Sequence, residues 1–291
     1  MNSQVSSCPA CGSHETARVF RKSFRESEWH LAKCEICEQQ FTDPHPTLDD
    51  LKGFYADSYH SPLCSVGESE AAFGEKFESY LQWILKFVRN GRSLDLGCST
   101  GLFPHLLGEH GFQAEGLEIN PATAQWGQQH YGVKITTQAF EEAAYVPETF
   151  SLVTLTDFLE HTLAPLDALQ RVQRVLQPNK FAFVTFPDIE SIESRYFRML
   201  ASATKREWLW SNCHIPLHTW EFTRATAERL FKRAGFRVVG FRRSHPALFE
   251  RSPLYLALLS SPSKILEIPY LALRLGTQME FMLQKDGSAG N

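Results

Sequence analysis

Residues 93–101 read Ser93-Leu94-Asp95-Leu96-Gly97-Cys98-Ser99-Thr100-Gly101. Ser93 to Leu96 is a short apolar run that predicts a buried β-strand, and Leu102 to His110 predicts a helix closed by Gly111. Between them, glycines four apart let backbone approach a ligand with no Cβ in the way. The helix that follows turns free N–H groups and the positive end of its dipole toward the loop. A loop at the carboxyl end of a strand is where open α/β sheets bind ligands. Taken alone, Gly-x-x-x-Gly is also compatible with an ordinary tight turn. The next strand, Ala114 to Ile119, removes much of that ambiguity. It delivers Glu118, 17 residues after Gly101, and a carboxylate there can accept hydrogen bonds from both hydroxyls of a ribose. The Gly-x-Gly-x-x-Gly spacing of a nicotinamide dinucleotide site is absent.

Outward from this stretch the chain alternates strand and helix. Pro121 to Tyr131 predicts a helix closed by Gly132, Val133 to Thr136 a weak strand, and Leu152 to Thr156 a buried strand. A helix over Pro165 to Leu176 carries Leu166, Leu169, Val172, Val175 and Leu176 on one side. Phe181 to Phe186 is a further strand. Thr223 caps a helix running to Ala234, Gly235 closes it, and Phe236 to Phe241 is a strand again. Thr277 to Gln284 alternates apolar and polar residues and reads as a last, antiparallel strand. Upstream, Phe77, Leu81, Ile84, Leu85 and Val88 have helical spacing within Glu75 to Arg89. The fold expected is α/β: a Rossmann-like, doubly wound, mostly parallel sheet with an antiparallel last strand, preceded by a small zinc ribbon marked by the pairs Cys8-x-x-Cys11 and Cys34-x-x-Cys37. Residues 1–50 form the ribbon, 51–90 a helical and aromatic lid segment, and 91–291 the Rossmann-like domain. Insertions at 188–220 and 245–276 break its rhythm.

Four stretches in this order carry a resemblance: Leu94 to Gly101, Gly116 to Asn120, Leu155 to His161, and Val175 to Pro187, with a weaker fifth from His218 to Phe236. Together they resemble the class I S-adenosylmethionine-dependent methyltransferases, in the broad group that includes ubiquinone-biosynthesis and nucleotide-sugar enzymes. The resemblance implies S-adenosylmethionine as the methyl donor. Gly97 and Gly101 would flank its methionine part with Cys98 and Ser99, and Asp95 would orient the loop. Glu118, followed by Ile119, would hold the ribose. Ala139 and Phe140 would line the adenine, and Asp157 and Phe158 would face the methyl group. Three positions depart from the family pattern. Ser99 replaces a middle glycine, Ser151 replaces an aspartate, and Pro178-Asn179-Lys180 replaces Pro-Gly-Gly.

Methyl transfer needs the acceptor held in line and, for a hydroxyl, a base. His161 is the first candidate, since imidazole titrates in the useful range; it can equally pack beneath the cofactor. In some ubiquinone-type relatives this acidic-His region binds a divalent metal, which would involve Glu160 and His161. His218, with His214 behind it, is the second candidate. The resemblance also puts Trp210 or Trp220 in the acceptor pocket, although aromatic packing in a cap explains them too. Tyr55 and Tyr59 either close over the cofactor or only pack.

Cys8-x-x-Cys11 and Cys34-x-x-Cys37 are separated by 22 residues. Two such knuckles can set four thiolates tetrahedrally around Zn²⁺, and with no open position the metal would be structural. Of the seven cysteines, Cys64, Cys98 and Cys213 are scattered. An odd count with no export signal at the N-terminus points to thiols and metal rather than disulfides.

The 291 residues carry 43% hydrophobic and 21% charged side chains and a formal charge of −4. This is the balance of a soluble globular protein, without the basic excess of one that coats nucleic acid or anionic membrane, and with no export signal a cytoplasmic location is expected. No apolar run approaches membrane-spanning length. In the ribbon, Arg18, Arg21, Lys22, Arg25 and Lys33 are matched by Glu15, Glu26, Glu28, Glu35 and Glu38. A small-molecule acceptor (a sugar, nucleotide-sugar, quinone-like compound or other metabolite) is therefore expected. A zinc-ribbon nucleic-acid-binding or RNA-modifying methyltransferase is the alternative.

Overall fold

A computed structural model describes residues 7–56, 66–204, 214–244 and 276–287. Tyr59, Cys64, Trp210, Cys213, residues 245–275 and the side chain of Tyr55 lie outside the described residues.

The main sheet has seven strands in the order β10-β11-β8-β7-β4-β5-β6. They are β4 (Gly91–Leu96), β5 (Phe112–Glu118), β6 (Lys134–Thr137), β7 (Phe150–Thr156), β8 (Leu176–Pro187), β10 (Phe236–Ser244) and β11 (Gln278–Lys285). β11 runs antiparallel between β8 and β10, and the β4–β5, β5–β6, β4–β7 and β7–β8 pairs are parallel. The expected Rossmann-like sheet with an antiparallel terminal strand is present. The chain walks from β4 to β5 and β6 on one side, then returns to β7 on the other. That reversal opens a crevice at the carboxyl ends of β4 and β7.

Alternation along the strands supplies a core on each face. Leu94, Leu96, Val153, Leu155, Val184 and Phe186 pack with α5 (Pro165–Val175) and α7 (Arg224–Arg233). Leu152, Phe183 and Met282 pack with α2 (Val66–Ile84) and α3 (Leu102–Glu109). α4 (Pro121–Tyr131) is capped by Asn120, whose side chain accepts from the N–H groups of Ala122 and Thr123.

A second sheet, β1-β2-β3-β9, is made of β1 (Thr16–Phe24), β2 (Ser27–Cys34), β3 (Gln40–Asp43) and the two-residue β9 (Trp220–Glu221). The β1–β2 hairpin occupies the long gap between the two cysteine knuckles. β3 leads through Thr47 into α1 (Leu48–Ala56), where Thr47 and Asp50 cap each other reciprocally, a capping box with aspartate at the third position.

Several elements differ from the expectations. The helix predicted over Glu75 to Arg89 begins at Val66 and ends at Ile84. Lys86 and Phe87 then donate to carbonyls three residues back, tightening the last turn as Phe87 packs toward Phe181. The 188–220 insertion holds a helix that its sequence does not announce, α6 (Ile192–Thr204). Its apolar residues fall on both faces: Ala201 is buried, whereas Ile192, Tyr196 and Met199 are exposed. Trp220 is not in an acceptor pocket. It is 1% exposed, its ring lies against Phe41 and His45, and its Nε1 donates to the carbonyl of Thr162 at 2.7 Å. The departures from the family pattern have local reasons. Asn179 takes the left-handed turn at φ 61° within an excursion of β8. Ser151 Oγ faces the carbonyls of Asn90 and Arg92 at 3.1 and 3.0 Å, where an aspartate would set a carboxylate against carbonyl oxygens. Among the described residues no helix is long and apolar enough to cross a membrane.

Candidate functional site

The crevice opens into a cavity of about 440 Å³. Its floor comes from the ends of three parallel strands. β4 supplies Asp95 and then Gly97, Cys98, Ser99 and Thr100; β5 supplies Leu117, Glu118 and Ile119; β7 supplies Thr156, Asp157 and Phe158. Gln138, Phe140 and Glu141 form one wall, and His161 lies at the other end. The strand order therefore gathers at one point residues spread between positions 95 and 161 of the sequence.

Gly97 shows why the loop has its composition. It sits at φ 70°, and a Cβ there would lie 2.6 Å from a ring carbon of Phe158. Ser99 also takes a left-handed φ, 50°, which costs a non-glycine residue roughly 1–2 kcal/mol. Its amide donates to Glu118 Oε2 at 2.9 Å, while Asn120 donates to Oε1 at 2.8 Å. Each carboxylate oxygen keeps a lone pair for a hydroxyl. Burial raises the Glu118 carboxyl above its ordinary range, against the backbone donors that lower it. Burial also pushes Asp95 up to about 7, although Thr154 Oγ1 donates to it at 2.6 Å. Two desolvated carboxyls in one cavity favour a ligand bearing positive charge and hydroxyl donors.

Not every expected site residue lines the cavity. Gly101 is the N-cap residue of α3, behind the loop, and Ala139 is buried beside Phe140. His218 requires a correction: it is 6% exposed and stands behind His161, ring centroids 4.8 Å apart, so it cannot touch a substrate directly. Its Nδ1 lies 3.2 Å from Glu221 Oε1. Burial drives that pair toward neutrality from both sides, His218 down to about 4 and Glu221 up to about 8. His161 does line the cavity. Its Nδ1 is 2.8 Å from the carbonyl of Leu217. A carbonyl only accepts, so Nδ1 carries the proton and Nε2 is the unprotonated, basic nitrogen.

The sequence does not single out Gln138, Glu141 or Thr156 as site residues, nor four wall residues from the N-terminal side. Leu48 and Leu51 arrive on α1, and Phe73 and Phe77 on α2. A fifth, Lys76 on α2, has the larger consequence. Its ammonium is 2.5 Å from Asp157 Oδ2, and Gln278 donates to the other oxygen of that carboxylate. Burial alone would raise Asp157, but Lys76 overrides it and holds the carboxyl below its ordinary range. Residue 76 sits 21 positions ahead of Gly97 in a helix that reads only as amphipathic.

Two groups of side chains have the composition of metal ligands. The ligand atoms of Cys8, Cys11, Cys34 and Cys37 all lie within 4.8 Å of one another. The Cys8–Cys37 and Cys11–Cys34 sulfurs are 3.6 Å apart. Zn–S bonds of about 2.3 Å in a tetrahedron place sulfurs about 3.8 Å apart, so four thiolates here fit one Zn²⁺. Burial raises the Cys8 thiol, an anion that a cation would stabilise. The second group is Glu160, His161 and His218. Glu160 is 1% exposed, and neither carboxyl oxygen has a hydrogen-bond partner among the described residues.

Comparison with known proteins agrees with this geometry. Residues 71–240 match the family described as "Methyltransferase domain". The chain belongs to this family. The ubiquinone biosynthesis O-methyltransferase of Vibrio cholerae serotype O1 is 29% identical over 100 residues, covering 32% of this chain and 40% of that one. The chain thus spans about two fifths of the length of such curated relatives. A chain in the complex between the Haloferax volcanii Trm112 methyltransferase activator and its methyltransferase superposes with TM-score 0.58 at 14% identity, covering 77% of this chain and 96% of that one. The PH0226 protein of Pyrococcus horikoshii OT3 gives TM-score 0.52 at 16% identity, covering 80% and 95%. These two likenesses concern the fold alone.

Proposed function

We propose that the enzyme methylates a hydroxyl on a small metabolite, with His161 as the base. The observation that carries this reading is His161 itself. It lies in the cavity wall with its Nδ1 proton committed to the Leu217 carbonyl, the tautomer in which Nε2 is the basic nitrogen. The apolar walls of Leu48, Leu51, Phe73 and Phe77 suit an acceptor with an apolar body. The name of the partly matching relatives, ubiquinone biosynthesis O-methyltransferase, points the same way.

Bound S-adenosylmethionine supplies an electrophilic methyl on a sulfonium. Around it, Glu118 accepts the ribose hydroxyls, Phe140 and Gln138 flank the adenine, and Lys76 answers the methionine carboxylate. Bare backbone at Gly97 lets that part of the ligand lie close. Asp157, held ionised by Lys76, keeps negative charge beside the site. The acceptor hydroxyl gives its proton to His161 Nε2, and Asp157 stabilises the imidazolium that forms. In the ribbon, Cys8, Cys11, Cys34 and Cys37 hold a structural Zn²⁺. A nucleic-acid acceptor is disfavoured because basic residues of the ribbon are matched by acids. Arg18 pairs with Asp43 at 2.7 Å and Arg21 with Glu28 at 3.5 Å.

The test is transfer of a labelled methyl from S-adenosylmethionine to a panel of hydroxylated metabolites. His161→Asn is expected to lower kcat by roughly 10²–10⁴-fold with donor affinity unchanged. Full activity of that variant would remove the base. A second reading, a divalent cation on Glu160, His161 and His218, is favoured by the partnerless carboxyl of Glu160. It predicts that a chelator abolishes transfer and that added Mg²⁺ or Mn²⁺ restores it.

A further inference from the structure

The cysteine module is joined to the methyltransferase core by a specific chain of hydrogen bonds that ends at His161. The second knuckle closes with the Cys34 amide donating to the Gln39 carbonyl at 3.0 Å. From there β3 pairs antiparallel with β9, Gln40 opposite Glu221 and Phe41 opposite Trp220. Gln39 Nε2 donates to the Glu221 carbonyl at 3.0 Å. Thr42 is bound twice: its amide donates to the Thr219 carbonyl at 2.9 Å, and its Oγ1 to the His218 carbonyl at 2.6 Å. Residues 217–221 thus spend one side on the cysteine module.

Their other side grips the turn that carries His161. The Thr219 amide donates to the Glu160 carbonyl at 2.8 Å, Trp220 Nε1 to the Thr162 carbonyl at 2.7 Å, and the Leu217 carbonyl accepts from His161 Nδ1 at 2.8 Å. The knuckles are also tied to the core from outside. Arg229 and Arg233 on α7 donate to the carbonyls of Cys37 at 2.6 Å and Ala10 at 3.2 Å. Thr42, Thr219, Trp220 and Glu221 are all buried. Buried hydrogen bonds of this kind fail together when one strand of the set is withdrawn, because each exposed partner is then left unsatisfied.

We infer that the N-terminal module is a brace for the active site. By donating β3 to residues 217–221, it fixes the tautomer and position of His161, and it contributes nothing to the donor-binding loop at 97–101. Thr42 and Thr219 are positioning residues in this scheme. The functional weight of the brace rests on the reading of His161 given above; the coupling of the two segments does not. β9 has only two residues, too few to hold its place without a neighbouring strand. The loop at 97–101 has separate support, with the amides of Gly97 and Cys98 both donating to the Leu117 carbonyl on β5.

The experiment compares backbone amide exchange in the zinc-loaded protein, the same protein after chelation, and Thr42→Val. The valine keeps the shape and removes one donor. In Thr42→Val with its zinc content retained, the Thr219, His161 and Thr162 amides should exchange about tenfold faster, while Gly97, Cys98 and Gly101 stay within about twofold. Chelation should produce the same pattern more strongly. The ¹⁵N imidazole spectrum of His161 should then change from a single Nδ1–H tautomer to a mixture. Affinity for S-adenosylmethionine should stay within about twofold throughout. If chelation leaves the 159–162 and 217–221 segments unchanged, or loosens residues 97–101 as much, there is no brace. The exchange readout needs no bound donor, so failure of donor binding and failure of the brace are told apart.

Discussion

At the scale of single residues, the site divides into what spacing can reveal and what it cannot. Gly97, Ser99 and Glu118 are legible because their roles depend on backbone conformation and strand ends, which local sequence specifies. Lys76 is not legible. A lysine on an amphipathic helix is ordinarily a solvated residue, and only the docking of α2 on α3 and the sheet turns it toward Asp157. Its removal should leave the Asp157 carboxylate at the cavity without its counter-ion. Lys76→Met is therefore expected to weaken S-adenosylmethionine binding by about 1–3 kcal/mol in calorimetry and to make that binding steeper in pH above 4. Unchanged binding would take Lys76 out of the site. His218 was legible as a histidine near the site, yet sequence could not tell a wall residue from one behind the wall. Burial holds His218 down to about 4. Between pH 6.5 and 4 the unfolded chain takes up a proton there that the folded chain refuses. This group's share of the stability lost as pH falls, about 1.4 kcal/mol per unit, is present in wild type and absent in His218→Gln. Urea unfolding at pH 7, 6 and 5 should show the variant gaining on wild type. Parallel curves would mean that His218 titrates normally.

Elements show a similar division. Strands and helices of the alternating core are close to where periodicity puts them. α4 matches its predicted ends, with Pro121 at its start and Gly132 after it. The antiparallel direction of β11 was also readable, although not its burial on both faces, which includes Glu280 paired with Arg242. β9 and α6 were not readable. A two-residue strand has no period, and its partner lies about 180 residues away in sequence. Nor could the sequence announce that β4 begins hard against β7. Gly91 has φ 110°, and a Cβ there would overlap Ser151 Oγ. Gly91→Ala should destabilise the fold by about 2–4 kcal/mol through strain and overlap combined. Gly91→Ala in a Ser151→Gly background should recover part of the loss. No recovery would mean that the backbone conformation alone, and not the contact, makes glycine necessary.

The molecule as a whole joins two sheets that serve one cavity. The seven-stranded sheet opens the cavity at its switch point, and the four-stranded sheet borrows β9 from the core and returns α1, with Leu48 and Leu51, to the cavity wall. The composition of the chain fits this arrangement but could not foretell it. Two cysteine knuckles announce a metal module, whereas its place beside His161 follows only from pairing across the whole sequence. The central claim is that an adenosyl sulfonium is held across the ends of β4 and β5, with Glu118 on its ribose. Isothermal titration of S-adenosylmethionine into the wild-type protein and Glu118→Ala tests it most directly. The account predicts saturable one-to-one binding in the wild type, weakened by about 1–3 kcal/mol in the variant. No heat of binding with the folded wild-type protein, or equal affinity in the two, would contradict it.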